Sequence, residues 1–80
     1  MRLPPAWFDG LAEARRGLWR SAAESFAAAA NRAPVDPRPP LAHALCLLEL
    51  GETDDALVLL ETTAALREAG PEWRTPITWL

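Results

Sequence analysis

His43 and Cys46 are the two side chains of this sequence best suited to chemistry, and they stand three positions apart. Residues at that spacing share one face of a helix, so the pair could serve as a thiolate–imidazole nucleophile or as half of a metal site. The chain has no second histidine or cysteine to complete a tetrahedral site. A nucleophilic cysteine also needs a polar, partly exposed setting, whereas Cys46 lies between two leucines. We therefore predict that both residues are structural, that the chain is not an enzyme, and that it holds no metal or cofactor.

Acidic and glycine patterns provide no other catalytic or ligand-binding motif. Asp54 and Asp55 fit the first turn of a helix, where the helix dipole favours acidic side chains. The glycines are scattered and form no phosphate-binding loop, so we interpret each of them as helix punctuation. They are Gly10, Gly17, Gly51 and Gly70.

Length, cysteine content and hydropathy limit the kind of protein. With 80 residues the chain is one small domain, and such a domain buries only about 60–65% of the surface that its unfolded chain exposes. A single cysteine allows no disulfide within the chain and fits a reducing compartment. The sequence has no apolar run of signal-peptide length and none of the about 20 residues that a membrane span needs. We expect a soluble, cytoplasmic protein without membrane insertion.

The net charge of −3 is divided unevenly along the chain. Residues 1–38 carry six arginines against four acidic side chains, which gives +2. Residues 39–80 carry two arginines against seven acidic side chains, which gives −5. The lack of a basic excess disfavours a nucleic-acid partner. The asymmetry itself fits either ordinary solvated helix faces or electrostatic docking.

Helix periodicity and helix breakers predict an all-α fold with four helices, and no segment alternates with the two-residue period of a strand. Ala33–Pro40 holds four prolines, which predict a loop. The helices are predicted at about residues 6–16, 18–32, 40–50 and 53–68, followed by a short C-terminal segment. The apolar stripe of the fourth helix comprises Ala56, Leu57, Leu60, Thr63 and Ala64.

An internal repeat relates the two helix pairs. Sliding the chain on itself by 34 positions aligns Gly17 with Gly51, Ala22 with Ala56, Phe26 with Leu60, and Leu11 with Leu45. Both of these glycines fall in a predicted turn between two helices, and Phe26 and Leu60 each follow an aligned alanine by four positions. The alanines let antiparallel helices approach closely, while the larger side chains fill the space beside the crossing.

These features resemble the tetratricopeptide repeat (TPR) family, whose units are helix–turn–helix pairs of about 34 residues. The first unit carries the second-helix motif in Gly17, Trp19, Ala22-x-x-x-Phe26, Ala29 and Pro34. Motif positions that depart from the family are Thr53, Leu60, Thr63 and Glu68 in the second unit, and Asp9 and Glu13 in the first helix. The resemblance implies a single domain over residues 1–80, an α-solenoid with repeat one at about 3–36, repeat two at about 37–70, and a cap or partial third repeat at 71–80.

The resemblance also implies a concave binding face lined by the first helix of each unit. Its predicted members are Trp7, Leu11, Arg15, Arg38, Leu41, Leu45, Leu48 and Glu49. The lysine, arginine and asparagine side chains with which known TPR grooves grip a C-terminal carboxylate are mostly missing there, so a carboxylate clamp is not expected. Leu41–Leu50 is instead apolar almost all round, which indicates burial on more than one side. One side must then meet a neighbouring repeat, a second chain or a peptide.

The C-terminal segment, Pro71–Leu80, begins where a third unit would start, one repeat length after Pro37. It is either a short cap over the second unit, an interface segment anchored by Trp73 and Trp79, or part of a longer repeat array. Stacks of this kind usually need at least three repeats for stability, so a two-repeat chain is expected to lack a neighbour on one side.

Three functions are compatible with the sequence. The favoured one is a non-enzymatic protein–protein interaction module, a bacterial-type adaptor or chaperone that holds a protein segment against the apolar inner face. In the alternative, that face pairs with a second copy in a structural homo-oligomer. The least favoured is a small enzyme centred on His43 and Cys46.

Overall fold

The computed structural model describes residues 3–69, which fold into four α-helices. They are α1 (Pro5–Arg15), α2 (Trp19–Arg32), α3 (Arg38–Glu49) and α4 (Thr53–Ala69). Each helix packs against the next one along the chain, and connections of three or five residues make successive helices antiparallel. The described part of the chain contains no strand, so the predicted all-α fold of helix–turn–helix pairs is confirmed.

The turns after α1 and α3 are closed by the same backbone hydrogen bond. After α1, the N–H of Leu18 donates to the carbonyl of Glu13 at 3.0 Å. After α3, the N–H of Glu52 donates to the carbonyl of Leu47 at 2.8 Å. Both bonds satisfy a carbonyl that the end of a helix leaves without a partner. Donor and acceptor of the second bond each stand 34 positions after those of the first, so the sequence repeat is also a repeat of backbone geometry.

Gly17 and Gly51 supply the backbone conformation that these two turns require. Their φ angles are 76° and 82°, in the left-handed region where a Cβ atom is strained. A Cβ placed at either glycine would meet no atom within 4 Å, so a side chain there costs backbone strain alone. Gly17→Ala and Gly51→Ala are each expected to lower the free energy of unfolding by about 1 kcal/mol in urea denaturation. Asparagine tolerates this conformation better and should cost less at both positions; equal losses for alanine and asparagine would contradict the explanation.

The core of the first unit lies where α1, α2 and α3 meet. Ala22, Ala23 and Phe26 of α2 are at most 3% exposed and form a cluster with Cys46 of α3. Partly buried side chains close around this cluster: Trp7, Leu11, Ala14, Trp19 and Ala42. The small side chains of α2 let the helices approach, and the aromatic rings fill the space beside them.

The second unit has a separate core between α3 and α4. Its buried members are Ala44, Leu47 and Ala56, with Leu50, Leu59 and Leu60 packed partly buried against them. Thr63 is 6% exposed, and its hydroxyl donates a hydrogen bond to the carbonyl of Leu59 at 2.9 Å. The buried hydroxyl is therefore satisfied, so a threonine can replace the small alanine found at the equivalent place in α2.

The loop between α2 and α3 is shorter than predicted, because α3 begins at Arg38 and not at Pro40. Pro39 and Pro40 lie inside the first helical turn and are buried. An N–H in that turn has no acceptor within the helix, so a proline there removes no helical hydrogen bond. The prediction that the loop extends to Pro40 was wrong.

Gly10 does not end a helix, as its interpretation as punctuation required, because it lies inside α1 and is buried. An ideal Cβ atom at this position would lie 2.6 Å from Cε1 of Phe26. The backbone of α1 therefore packs directly against the aromatic ring of α2. Gly10 marks a close helix approach, and its counterpart in the second unit is the buried Ala44.

Candidate protein-binding surface

Burial shifts the pKa of both Cys46 and His43. Cys46 is 2% exposed, and burial, assisted by the Glu49 carboxylate, raises the pKa of its thiol. Burial lowers the pKa of the half-buried His43 against the weaker opposing effects of Asp55 and Glu52. At neutral pH the thiol therefore stays protonated and the imidazole neutral. Among residues 3–69, no three or more histidine, cysteine or acidic side chains are grouped so that they could hold a metal ion.

Three leucines of α3 form an exposed apolar stripe. Leu41, Leu45 and Leu48 follow each other at steps of four and three residues, which places them on one side of the helix. They are 40%, 54% and 43% exposed. α4 adds Leu57, which is 52% exposed. Folding usually buries leucine, so several exposed leucines on neighbouring helices require an explanation.

The internal repeat explains why these four leucines are exposed. Moved back by 34 positions, they become Trp7, Leu11, Ala14 and Ala23. In the first unit those four residues belong to one core cluster, to which α3 contributes Ala42 and Cys46. The second unit presents the equivalent surface, but within residues 3–69 no further helix follows α4 to cover it. We call Leu41, Leu45, Leu48 and Leu57 together the leucine face.

The predicted binding residues of the first unit lie mostly in its core. Trp7 and Leu11 are partly buried against the core cluster, and the ring of Trp7 is 5.2 Å from that of Phe26 with a tilt of 55°. Arg15 is exposed in the last turn of α1. The repeat therefore brings Trp7 and Leu11 together with α3 of the same chain.

The predicted binding residues of the second unit lie mostly on its surface. Glu49 is exposed at the end of α3, beyond the three leucines of that helix. Arg38 lies at the start of α3 and is engaged by the carboxylate of Asp36, to which its Nε donates at 2.9 Å. The apolar stripe is thus flanked by one acidic side chain at its end and by a paired arginine at its start.

Leu57 is the member of the leucine face that the sequence reasoning missed, because the periodicity of α4 placed it on a core stripe with Ala56. The signal that could have identified Leu57 is its counterpart in the first unit, Ala23. The two positions are equivalent, but Ala23 is small and buried whereas Leu57 is large and exposed. Trp73 and Trp79, predicted as interface anchors, lie outside the described residues.

A shallow apolar cavity of about 150 Å³ opens at one end of the leucine face. Its walls are formed by Pro37, Arg38, Leu41, Thr63 and Arg67. In the first unit the place of Leu41 is taken by Trp7, whose larger ring packs against Phe26. The second unit thus has a smaller side chain, Leu41, at the wall of the cavity.

Known protein families, curated proteins and solved structures yield no match to this chain. None of the described helices combines the length and hydropathy that a bilayer span needs. The functional conclusion therefore depends on the surface itself.

The leucine face can bind another apolar surface. Burying the exposed half of each leucine contributes about 1 kcal/mol. Exposed apolar side chains grouped in this way, with polar residues around them, are typical of interaction sites in soluble proteins. The four leucines of this arrangement provide apolar contact area.

Proposed function

We propose that this chain is a non-enzymatic protein–protein interaction module that binds a helix of another polypeptide on its leucine face. One observation carries the proposal. Within residues 3–69, no helix covers the leucine face, whereas the equivalent surface of the first unit packs against α3 of the same chain. An apolar groove between two helices suits a helical ligand, which inserts side chains at steps of three and four residues.

A TPR-type architecture supports this function. Two helix–turn–helix units one repeat length apart, equivalent glycine turns and alanines at the helix crossings fit that family. Repeat stacks of this kind use their extended helical surfaces to bind other proteins. We further propose that the chain is an adaptor or chaperone of bacterial type, and that it acts in the cytoplasm, where its single cysteine fits a reducing compartment.

A structural homo-oligomer is the second candidate, favoured by the exposure of four leucines on one surface. In that case a second copy of the chain covers the leucine face, and no separate ligand is needed. Both candidates use the same residues, so variants of the leucine face test both.

The proposed function is tested by placing aspartate on the leucine face. The double variant Leu45→Asp, Leu48→Asp is expected to abolish partner capture by the tagged full chain while its far-UV circular dichroism stays unchanged. Both side chains are exposed, so their replacement leaves the cores intact. Val58→Asp is the matched control, since Val58 is 61% exposed but is not part of the leucine face, and it should retain capture. Capture that survives the double substitution would overturn the proposed function.

A further inference from the structure

The outer side of α1 lies at the opposite end of the helix stack from the leucine face. α3 packs on the first unit through Ala42 and Cys46. Moved back by 34 positions, these residues become Phe8 and Ala12, which are exposed on α1. Phe8 is 59% exposed. α1 therefore presents to its surroundings the same side that α3 presents to the first unit.

We propose that the leucine face of one copy binds the outer side of α1 of a second copy, so that copies stack head to tail. The inference rests on the proposed function and names the helix that the leucine face binds. Within one chain, α3 packs on the surface formed by α1 and α2. In the stack, α1 of the second copy packs in the same way on the equivalent surface formed by α3 and α4 of the first copy. The contact between copies thus continues the contact that already joins the two units of one chain.

The cavity beside Leu41 accommodates the main difference between α1 and α3. α1 has Phe8 where α3 has the small Ala42, so an incoming α1 needs room for an aromatic ring. The cavity of about 150 Å³ matches the size that holds a benzene ring in a protein interior. Alternate helices of the stack run parallel, so the N-terminal half of the incoming α1 lies beside the N-terminal end of α3. Leu41 and the cavity are at that end.

One pair of charged positions in the stack is complementary. Within one chain, exposed Arg20 at the start of α2 forms an ion pair with Glu52 in the turn after α3. In the second unit the position of Arg20 is taken by an acid, Asp54. The equivalent of Glu52 in the incoming copy is Leu18, and the exposed Arg15 and Arg16 precede it at the end of α1, so basic side chains lie near Asp54 with the signs reversed. Such exposed pairs contribute little affinity but orient the approaching copy and speed its association.

Charge also disfavours the contact of two leucine faces with each other. Residues 39–69 carry six acidic side chains and one arginine, so that arrangement would bring two acidic units together. Head-to-tail stacking instead places the acidic second unit of one copy against a first unit whose residues 3–36 carry four arginines and four acidic side chains. The contact is heterologous, and it leaves one free end of each kind on every assembly.

Two single substitutions, one at each end of the stack, test the inference. Phe8→Asp blocks the outer side of α1 and leaves the leucine face intact, and Leu45→Asp does the reverse. The mass of the wild-type full chain in light scattering is expected to rise with concentration beyond that of a dimer. Each variant alone is expected to stay monomeric, and an equimolar mixture of the two is expected to form a dimer that grows no further. Val58→Asp is the control and should associate as the wild type does.

Other outcomes overturn the inference, and each identifies a different cause. If Phe8→Asp associates like the wild type while Leu45→Asp does not, leucine faces pair with each other. If the wild type is monomeric at every concentration, no second copy binds and the inference is overturned. The proposed function is then supported only if the double variant Leu45→Asp, Leu48→Asp abolishes capture of a different protein. Circular dichroism checks that each variant is folded, and Phe8→Ser and Leu45→Ser replace any aspartate variant that loses helicity.

Discussion

Replacing Asp36 with alanine is expected to lower the free energy of unfolding by about 3 kcal/mol, which is a large part of the stability of so small a chain. Asp36 is 0% exposed. Its Oδ1 accepts hydrogen bonds of 2.9 Å from both the backbone N–H and Nε of Arg38. Alanine removes the acceptor of the first N–H of α3 and one partner of a charge pair at once. The Arg38 side chain is 39% exposed and can turn to water, so the loss falls at the lower end for a broken buried pair.

Asparagine at position 36 separates the two contributions. Asp36→Asn keeps an oxygen that can accept from the backbone N–H of Arg38, but it removes the negative charge. It should therefore cost less than alanine in urea denaturation at neutral pH. Equal losses for the two variants would show that the hydrogen bond to the start of α3 contributes nothing, contrary to this explanation.

Acid titration tests the charge contribution of Asp36 directly. Burial raises the pKa of the carboxyl, but the hydrogen bonds and positive charge of Arg38 together lower it by more, so its pKa in the folded chain is below the ordinary value. The charged pair therefore stabilises the fold above the unfolded pKa of about 3.9, and this contribution is lost as pH falls through the lower folded pKa. The stability difference between wild type and Asp36→Asn should accordingly shrink in acid. A stability difference that does not change with pH would contradict a charge contribution of Asp36.

Backbone requirements made much of the fold predictable from sequence. Gly17 and Gly51 stand where the chain needs a positive φ, and each follows a helix that ends within one residue of its predicted end. Prolines were less informative about helix boundaries. Neither a loop nor the first turn of a helix needs a backbone N–H as a hydrogen-bond donor, so proline is accepted in both and does not distinguish them. The start of α3 was therefore predicted two residues late, at Pro40.

Contacts between helices were harder to predict, as Glu13 shows. It occupies a position of α1 that the TPR motif fills with an apolar residue, yet it is partly buried. Its carboxylate accepts a hydrogen bond from the hydroxyl of Ser25 across the contact between α1 and α2. The partner that makes a carboxylate acceptable there lies on another helix, and the periodicity of α1 alone contains no information about it.

Leu57 illustrates the same difficulty for the candidate site. Within α4 it adjoins buried Ala56, and an apolar stripe on one helix predicts burial. Whether that stripe is covered depends on a neighbouring helix, and in the described part of the chain none covers Leu57. Comparing the two units position by position, with Ala23 as the covered counterpart, distinguishes a core residue from a binding residue.

Gly10→Ala is expected to destabilise the chain although alanine is the better helix former. Helix propensity alone predicts a gain of about 1 kcal/mol in the middle of α1. The new Cβ atom, however, would lie 2.6–2.9 Å from three ring carbons of Phe26. The ring is 2% exposed and packed against Trp7, so it cannot move aside without disturbing the first core. Overpacking of this kind outweighs the propensity, and we expect a net loss of about 2 kcal/mol in urea denaturation.

The second unit indicates which substitution should rescue Gly10→Ala. There the equivalent pair is Ala44 with Leu60, so a Cβ on the first helix is matched by a smaller side chain on the second. Phe26→Leu added to Gly10→Ala should therefore recover part of the lost stability, with a coupling energy of about 1 kcal/mol or more in the double-mutant cycle. Ala28→Gly, at an exposed position in the middle of α2, measures the propensity contribution separately. Additive effects of the two core substitutions would show that the Cβ of residue 10 and the ring of Phe26 do not compete for the same space.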